Sequence, residues 1–461
     1  MKKIINILAV CFIIVVIAGC NDKTPSSKVT SNISSENKDG IAATGSKYAQ
    51  GITMSKLENK KIKIMVNQGM DFLKSMDSED APNTTLNTLN TWKATYGTDA
   101  ELEVVNWDDF STYLATAAAA DMMPDVVIGG QVWFPSWPAK NLVQSLDEFD
   151  EYLDLDDPMW RKDIMDQFKW NDKHYVAYAQ VPEYFYICYN KTKFELVGET
   201  TPLEHWKNKN WNWTQFVKTA KSMSDPDNDE YGYTGWNLAA GKAIYPMIKI
   251  DGKNITSNAT SQEVVRWFTE LNNLHKTGTI RTDNDRANFL QLFPAGKDAM
   301  ISISPEEYIR MRLKLDITGG DEFELAPFPI FDPNGETMSK TTVNIYGLSI
   351  TSKAQNPEGA AEYIRLNFKI INNIEDSFGE LGRFGKLLNK DEKSAIIEAN
   401  KTPVMANYLS GFGKAYLLFQ DNVGETIYSP TKEGSIKSLL DAYDPLLKAE
   451  IKEFTDSLTA K

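Results

Sequence analysis

Apolar and polar residues alternate from Lys61 to Val66, with Ile62, Ile64 and Val66 on one face, and a period of two predicts a strand. Thr84 to Tyr96 places Leu86, Leu89 and Trp92 at helical spacing, and Leu102 to Val105 reads as a second strand. Asp108 or Asp109 is expected to cap the next helix, Phe110 to Ala120, which ends near Pro124. Asp125-Val126-Val127-Ile128 predicts a third strand that halts at a flexible Gly129-Gly130. Strands alternating with helices predict a mostly parallel α/β sheet. The alternation returns later in the chain. Thr260 to Glu263 has the form of a capping box, followed by Val264, Phe268, Leu271 and Leu274 on one helical face up to Gly278. Ala299 to Ile303 and Tyr346 to Ile350 predict buried strands, and Asn356-Pro357-Glu358 starts a helix with proline in its first turn. Leu439 to Leu458 is amphipathic and predicts a last helix. No short-period repeat is present, which excludes solenoids and propellers.

The amino terminus changes the picture. Lys2 and Lys3 precede an apolar run from Ile4 to Gly19 and then Cys20, a signal-peptide pattern too short for a comfortable membrane span. Ile17-Ala18-Gly19-Cys20 resembles a bacterial lipobox, which implies cleavage after residue 19 and lipidation of Cys20. Residues 20–55, rich in Ser, Thr, Asn, Lys and Gly at their start, predict a flexible tether. Cys11 leaves with the signal, so Cys188 is the sole free thiol. It lies in the apolar run from Tyr184 to Tyr189 and reads as a buried small hydrophobe.

Composition narrows the function classes. The 461 residues carry a formal charge of −14, with 42% apolar and 24% charged residues, as in a soluble globular protein of two or three domains. Net negative charge argues against nucleic-acid binding. Three cysteines exclude a disulfide scaffold or a multi-cysteine metal site.

An ordered set of motifs then resembles the extracellular solute-binding protein family 1, the lipoprotein receptors of carbohydrate ABC importers. The set comprises Met123-Pro124-Asp125-Val126, the strand Lys173 to Tyr178, Tyr189-Asn190-Lys191 and Trp211-Asn212-Trp213-Thr214-Gln215-Phe216. Phe293 to Met300 (of the form F-x-x-G-K-x-A-M), Pro327-Phe328-Pro329 and Asn356 to Ala361 complete it. The resemblance implies an α/β, two-lobe periplasmic-binding-protein-like fold of type II, with a hinge and an interlobe cleft. Residues 56–181 and 328–370 would form the first lobe, and 182–327 and 371–461 the second. The chain would cross near Gln180-Val181-Pro182-Glu183 and near Pro327-Phe328-Pro329.

Sugars require flat apolar faces for their C–H sides and planar polar groups for their hydroxyls. Trp133 follows the third strand at its carboxyl end, where ligands of open α/β sheets sit, and is expected to face the ligand or to pack. Trp137 is a weaker candidate. The resemblance adds Glu183 and Tyr184 at the first crossing, then Trp236, Ser304 and Glu306, each after a cleft-directed segment. Asn344 and Tyr346 in the returning first-lobe segment and Arg383 in a glycine-rich loop complete the candidates. Trp211 and Trp213 read as structural pins of a helix start, and Trp107 as core. Asp225, Asp227 and Asp229 resemble a calcium loop, although Glu230 stands where glycine is usual and Trp236 where a bidentate glutamate is usual. A solvated acidic turn is the default there.

The expectation is therefore a non-enzymatic, lipid-anchored receptor on the extracytoplasmic face of a bacterial cell membrane. It would be a monomer that binds a carbohydrate, an oligosaccharide, and delivers it to ABC permease subunits. It would meet the membrane only through its anchor and bind no nucleic acid. No cofactor is expected apart from the calcium candidate. The rival readings are a sensing or adhesive lipoprotein of the same fold, a peptide or polyamine receptor, and a surface glycoside hydrolase.

Overall fold

The computed structural model describes residues 40–79, 82–180, 184–234, 246–281, 292–318, 321–329, 345–379, 381–401, 406–427 and 434–459. The main strands, in chain order, are Lys63–Val66 (β1), Glu101–Val104 (β2), Val126–Gly130 (β3), Tyr186–Asn190 (β4), Met300–Ile303 (β5), Phe323–Pro327 (β6) and Tyr346–Ile350 (β7). The helices that matter below are Thr84–Tyr96 (α1), Phe110–Ala119 (α2), Pro202–Lys207 (α3), Trp213–Ser222 (α4), Gln262–Lys276 (α5), Pro305–Thr318 (α6), Pro357–Phe378 (α7), Lys390–Ala399 (α8) and Ile436–Thr459 (α9).

These strands form two sheets. The first has the order β7-β3-β1-β2; β1 runs parallel to β2 and to β3, and β7 runs antiparallel to β3 with Leu348 opposite Ile128. The second is antiparallel throughout, in the order β5-β4-β6, with Cys188 opposite both Ile301 and Leu325. Cys188 is fully buried there, and burial pushes its thiol well above the usual range, so it behaves as a small apolar side chain. Among the described residues, no helix is long and apolar enough to cross a membrane.

Local chemistry explains the boundaries. Asn83 caps α1 by accepting the Leu86 N–H, and Gly97 ends the helix in the left-handed region at φ 74°. The inward face of α1 buries Leu86, Leu89, Trp92 and Tyr96. Asn356 caps α7 by accepting the Gly359 N–H, and Pro357 occupies the first turn as its sequence predicts.

Three expectations need correction. Ser261 caps α5 in place of Thr260, accepting the Val264 N–H. Neither Asp108 nor Asp109 makes a side-chain cap to α2, because a 3₁₀ turn over Trp107–Asp109 carries the chain into that helix. Gly129 and Gly130 belong to β3 and are tightly enclosed. A Cβ on Gly130 would lie 2.3 Å from the Ile345 carbonyl oxygen, and one on Gly129 would lie 2.1 Å from the Ser349 hydroxyl. These glycines are required by close approach of β7, and the chain there is not loose.

An amino-terminal clip precedes β1. Ile41–Ala42 pairs with Thr53–Met54, and the hairpin lies across α1 and α7. Ser55 donates its N–H and its hydroxyl to Glu362 of α7, at 2.9 and 3.1 Å, while the Tyr96 hydroxyl of α1 donates to the Ser55 carbonyl at 2.6 Å. Arg365 and Asn373 of α7 donate to the carbonyls of Thr53 and Tyr48, and Ser46 donates to Asn87 of α1.

The expected second lobe touches the first beyond the strand crossings. Ala406 donates to Gln167 at 2.7 Å, and the Tyr408 hydroxyl donates to the Gln167 carbonyl at 2.6 Å. Near the end of α9, Phe454 meets Trp170 with ring centroids 6.3 Å apart.

Candidate functional site

The carboxyl ends of β2 and β3 lead into the same aromatic cluster. After β3 the chain turns, with the N–H groups of Trp133 and Phe134 donating to the Gly130 carbonyl at 3.1 Å each. This brings Trp133 onto Trp137, nearly parallel at 4.5 Å and 13°, and onto Phe110 of α2 at 5.7 Å and 16°. After β2 the 3₁₀ turn projects Trp107, whose ring lies 4.8 Å from Trp133 and edge-on to Tyr346 at 5.1 Å. Tyr346, at the start of β7, also meets Trp133 at 6.0 Å.

The cluster has two layers. Trp133 and Trp137 are buried, the first only 8% exposed, and Trp137 donates its indole N–H to the Ser111 hydroxyl at 3.3 Å. Trp107 and Tyr346 are half-buried and offer ring surface to solvent, beside the exposed carboxylates of Asp108 and Asp109. Gln131 is buried at the base of the turn, where its side-chain oxygen accepts the Asn407 N–H at 3.4 Å. A surface of this kind suits non-covalent recognition of a solute with one apolar face and several hydrogen-bonding groups.

Of the residues singled out from sequence, Trp133 and Tyr346 therefore meet, and Trp107 joins them although its sequence context suggests core. The signal for Trp107 was available: it too follows the carboxyl end of a parallel strand.

Ser304 is buried and forms a reciprocal cap of α6. Its N–H donates to the Glu307 carboxylate at 2.8 Å and its hydroxyl accepts the Glu307 N–H at 3.3 Å. Glu306 is the second residue of α6. Tyr184 is 2% exposed, and burial pushes its hydroxyl up to about 12 beside the Arg161 guanidinium. Arg383 lies half-buried in a short helix, Gly382–Lys386, where it opposes the burial-driven rise of Glu375 to about 8. Its neighbour Phe384 stacks on Tyr186 at 5.6 Å, so this loop packs on the second sheet. Glu183, Trp236, Asn344 and Cys20 lie outside the described residues.

Trp211 and Trp213 are structural, as their context predicts. Both are buried; Trp211 donates its indole N–H to the Pro327 carbonyl at 2.8 Å, and Trp213 is the first residue of α4.

The acidic turn at Asp225, Asp227 and Asp229 does not gather its carboxylates as a calcium loop would. Among the described residues no group of three or more His, Cys, Asp or Glu is arranged to hold a metal ion. Arg281 accounts for the difference. Its guanidinium donates to the Asp229 carboxylate at 2.7 Å, to the Asp229 carbonyl at 2.9 Å and to Asp298 at 2.9 Å. Asn228 in turn holds Asp225 at 2.7 Å. Arg281 thus already neutralises Asp229, one of the three candidate carboxylates. Burial pushes fully enclosed Asp298 up to about 6, against the pull of Arg281.

Comparison with known proteins gives the same architecture. The family model described as bacterial extracellular solute-binding protein matches residues 78–366. No curated protein matches the sequence. Among solved structures, a cyclo/maltodextrin-binding protein complexed with maltotetraose superposes with a TM-score of 0.60 at 16% identity, covering 86% of this chain and 98% of its own. The sugar-binding protein MalE from the phytopathogen Xanthomonas citri gives 0.65 at 14% identity, with 85% and 98% coverage. The ABC transporter associated binding protein from B. animalis subsp. lactis Bl-04, in complex with beta-1,6-galactobiose, gives 0.60 at 15%, with 86% and 98% coverage. At these identities the likeness establishes the fold, which is two-lobed, α/β and periplasmic-binding-protein-like, as the motifs imply.

Proposed function

The chain belongs to the bacterial extracellular solute-binding protein family, and on that premise we propose that it captures a carbohydrate, an oligosaccharide, between its lobes and hands it to an ABC permease. The observation that carries this reading is the half-buried pair Trp107 and Tyr346, backed by buried Trp133 and Trp137 at the carboxyl ends of β2 and β3. Half-buried rings already braced from behind can stack on a pyranose without first being ordered, so little entropy is lost on binding. Closure of the second lobe then completes hydrogen bonds to hydroxyls that have left water. Binding sugars is also what the named structural relatives do by their descriptions. The chain makes and breaks no bond in this role. Lipidation at Cys20, followed by a tether, holds it at the outer face of the cell membrane, and it works as a monomer.

A thermal-shift screen of the mature protein against mono- and oligosaccharides, peptides and polyamines tests the reading. A ligand at a hundred times its dissociation constant stabilises the folded state by about 2.7 kcal/mol, enough to read as a melting shift. One glycan series is expected to shift the melt and to be recovered unchanged. Shifts with peptides or polyamines alone would replace the solute, and cleavage of the glycan would replace the receptor with an enzyme. Palmitate labelling is expected on the native protein and is expected to be lost in Cys20→Ser. No label on the native protein would remove the lipid anchor, and label that survives the substitution would remove Cys20 as its site.

A further inference from the structure

The outer edge of the second sheet carries a cavity of about 450 Å³ in which Trp206 of α3 faces residues of α8. It includes none of the cleft candidates, and its size falls within the ordinary range for small-molecule sites, about 300–1,000 Å³. Two indoles line it, half-buried Trp206 and buried Trp211. Trp211 is almost fully buried and its one polar atom is engaged by the Pro327 carbonyl at 2.8 Å, so it forms an apolar floor and Trp206 is the ring open to an occupant.

The rim is polar and electrically balanced. Lys207 and Asp391 pair across the two helices at 2.5 Å, which leaves Lys209 and Glu398, one of each sign, with the Ser394 hydroxyl between helix turns. A small anion or cation therefore meets no excess of opposite charge. A neutral molecule with one apolar face and several hydroxyls fits better. Its C–H face can lie on an indole, and its hydroxyls can accept from an ammonium and donate to a carboxylate.

We propose that this cavity is a second sugar site, taking a single neutral pyranose ring against Trp206, outside the interlobe cleft. The choice of ligand class rests on the carbohydrate reading above; the location rests on the cavity alone. An occupant would also press on Trp211, the side chain that holds Pro327 at the end of β6, so its binding is felt where that strand leaves the second sheet.

The test is saturation-transfer NMR on the full chain with methyl α-D-glucopyranoside and methyl β-D-galactopyranoside. It compares the native protein with Trp206→Ala, Ser394→Trp and Trp107→Ala. Ser394 is exposed on α8, so a tryptophan there blocks the cavity without entering the core, which guards against a Trp206→Ala protein that fails to fold. For at least one glycoside, affinity is expected to fall about tenfold in Trp206→Ala and in Ser394→Trp, and to persist in Trp107→Ala. Equal signal in the native, Trp206→Ala and Ser394→Trp proteins overturns the proposal. So does signal abolished by Trp107→Ala, which would put all binding in the cleft, and so does no signal from either glycoside. A signal dependent on Trp206, together with a thermal-shift screen that finds no glycan for the cleft, would uphold this site and count against the cleft reading.

Discussion

The two sheets are each joined to a helix by one buried carboxylate, and the two seams differ in their surroundings. In the first, Asp125 accepts the N–H groups of Lys63 and Asn356, both at 2.8 Å, and so ties β1 to the cap of α7. In the second, Glu392 accepts the N–H groups of Leu325 and Asn389, both at 2.7 Å, and ties the outer strand β6 to the cap of α8. Burial raises both carboxyls. Backbone N–H groups and the Lys63 ammonium oppose the rise at Asp125; at Glu392 two backbone N–H groups and the Arg312 guanidinium oppose it, but the Glu324 carboxylate adds to it, and the carboxyl reaches about 7. The sheet ends differ as well. The first opens into half-buried rings, while beyond β5 the chain closes on itself in the Ser304–Glu307 cap. Similar backbone geometry thus serves two ends: one sheet presents surface, and the other seals its own.

The sharpest way to break this contrast is in the aromatic cluster. Trp133→Ala is expected to destabilise the fold by about 3–5 kcal/mol in a denaturant melt, because it empties a buried, stacked position. Trp107→Ala should cost much less stability while weakening glycan binding, measured by titration. If the two variants melt alike, the two layers are not distinct. Next in size, Asp125→Ala should cost about 2–4 kcal/mol, since two buried N–H groups lose their acceptor. The same melt reads it.

The second seam gives a pH signature. Glu392 titrates at about 7 when folded, against 4.5 as its ordinary value, so the folded chain keeps a proton that the unfolded chain has released. Its contribution is complete below pH 4.5 and is lost as pH rises through 7. Glu392→Gln should flatten the stability–pH curve in that window by on the order of 2 kcal/mol, at a pH-independent cost of about 1–3 kcal/mol because its amide NH2 would face one of the two backbone N–H donors. An unchanged slope would mean that the two seams are electrostatically alike. The smallest effect is expected at Ser304→Ala, about 1 kcal/mol from the lost cap, with ligand affinity unaltered. A large loss of affinity there would make Ser304 a ligand contact as well as a cap.

How much of this was legible in the sequence follows the range of the interactions. The helix Thr84–Tyr96 and the strand Tyr346–Ile350 fall where periodicity puts them, because cap, period and C-terminal glycine are all local. The pairing of β4 with both β5 and β6 was not readable, since its partners lie far along the chain and β6 runs into a proline-marked crossing. The glycines of β3 look flexible in isolation; the approach of β7, invisible from local sequence, makes them part of the strand. Trp133 and Tyr346 could be named, but not which ring would be buried. That depended on Phe110 and Trp137 arriving behind Trp133. The partner of the acidic turn was hidden for the same reason: Arg281, which pairs with Asp229, is remote in sequence.

The clip formed by residues 40–57 sets where a force applied to the amino-terminal side of the chain would enter the fold. A pull arriving along the chain from its amino-terminal side does not reach β1 first. It is spread over the hydrogen bonds from Ser46, Ser55, Tyr96, Arg365 and Asn373, on two helices at once. Such a force would therefore enter the fold through α1 and α7, the two helices the clip is bonded to, and not through a single strand of the first sheet.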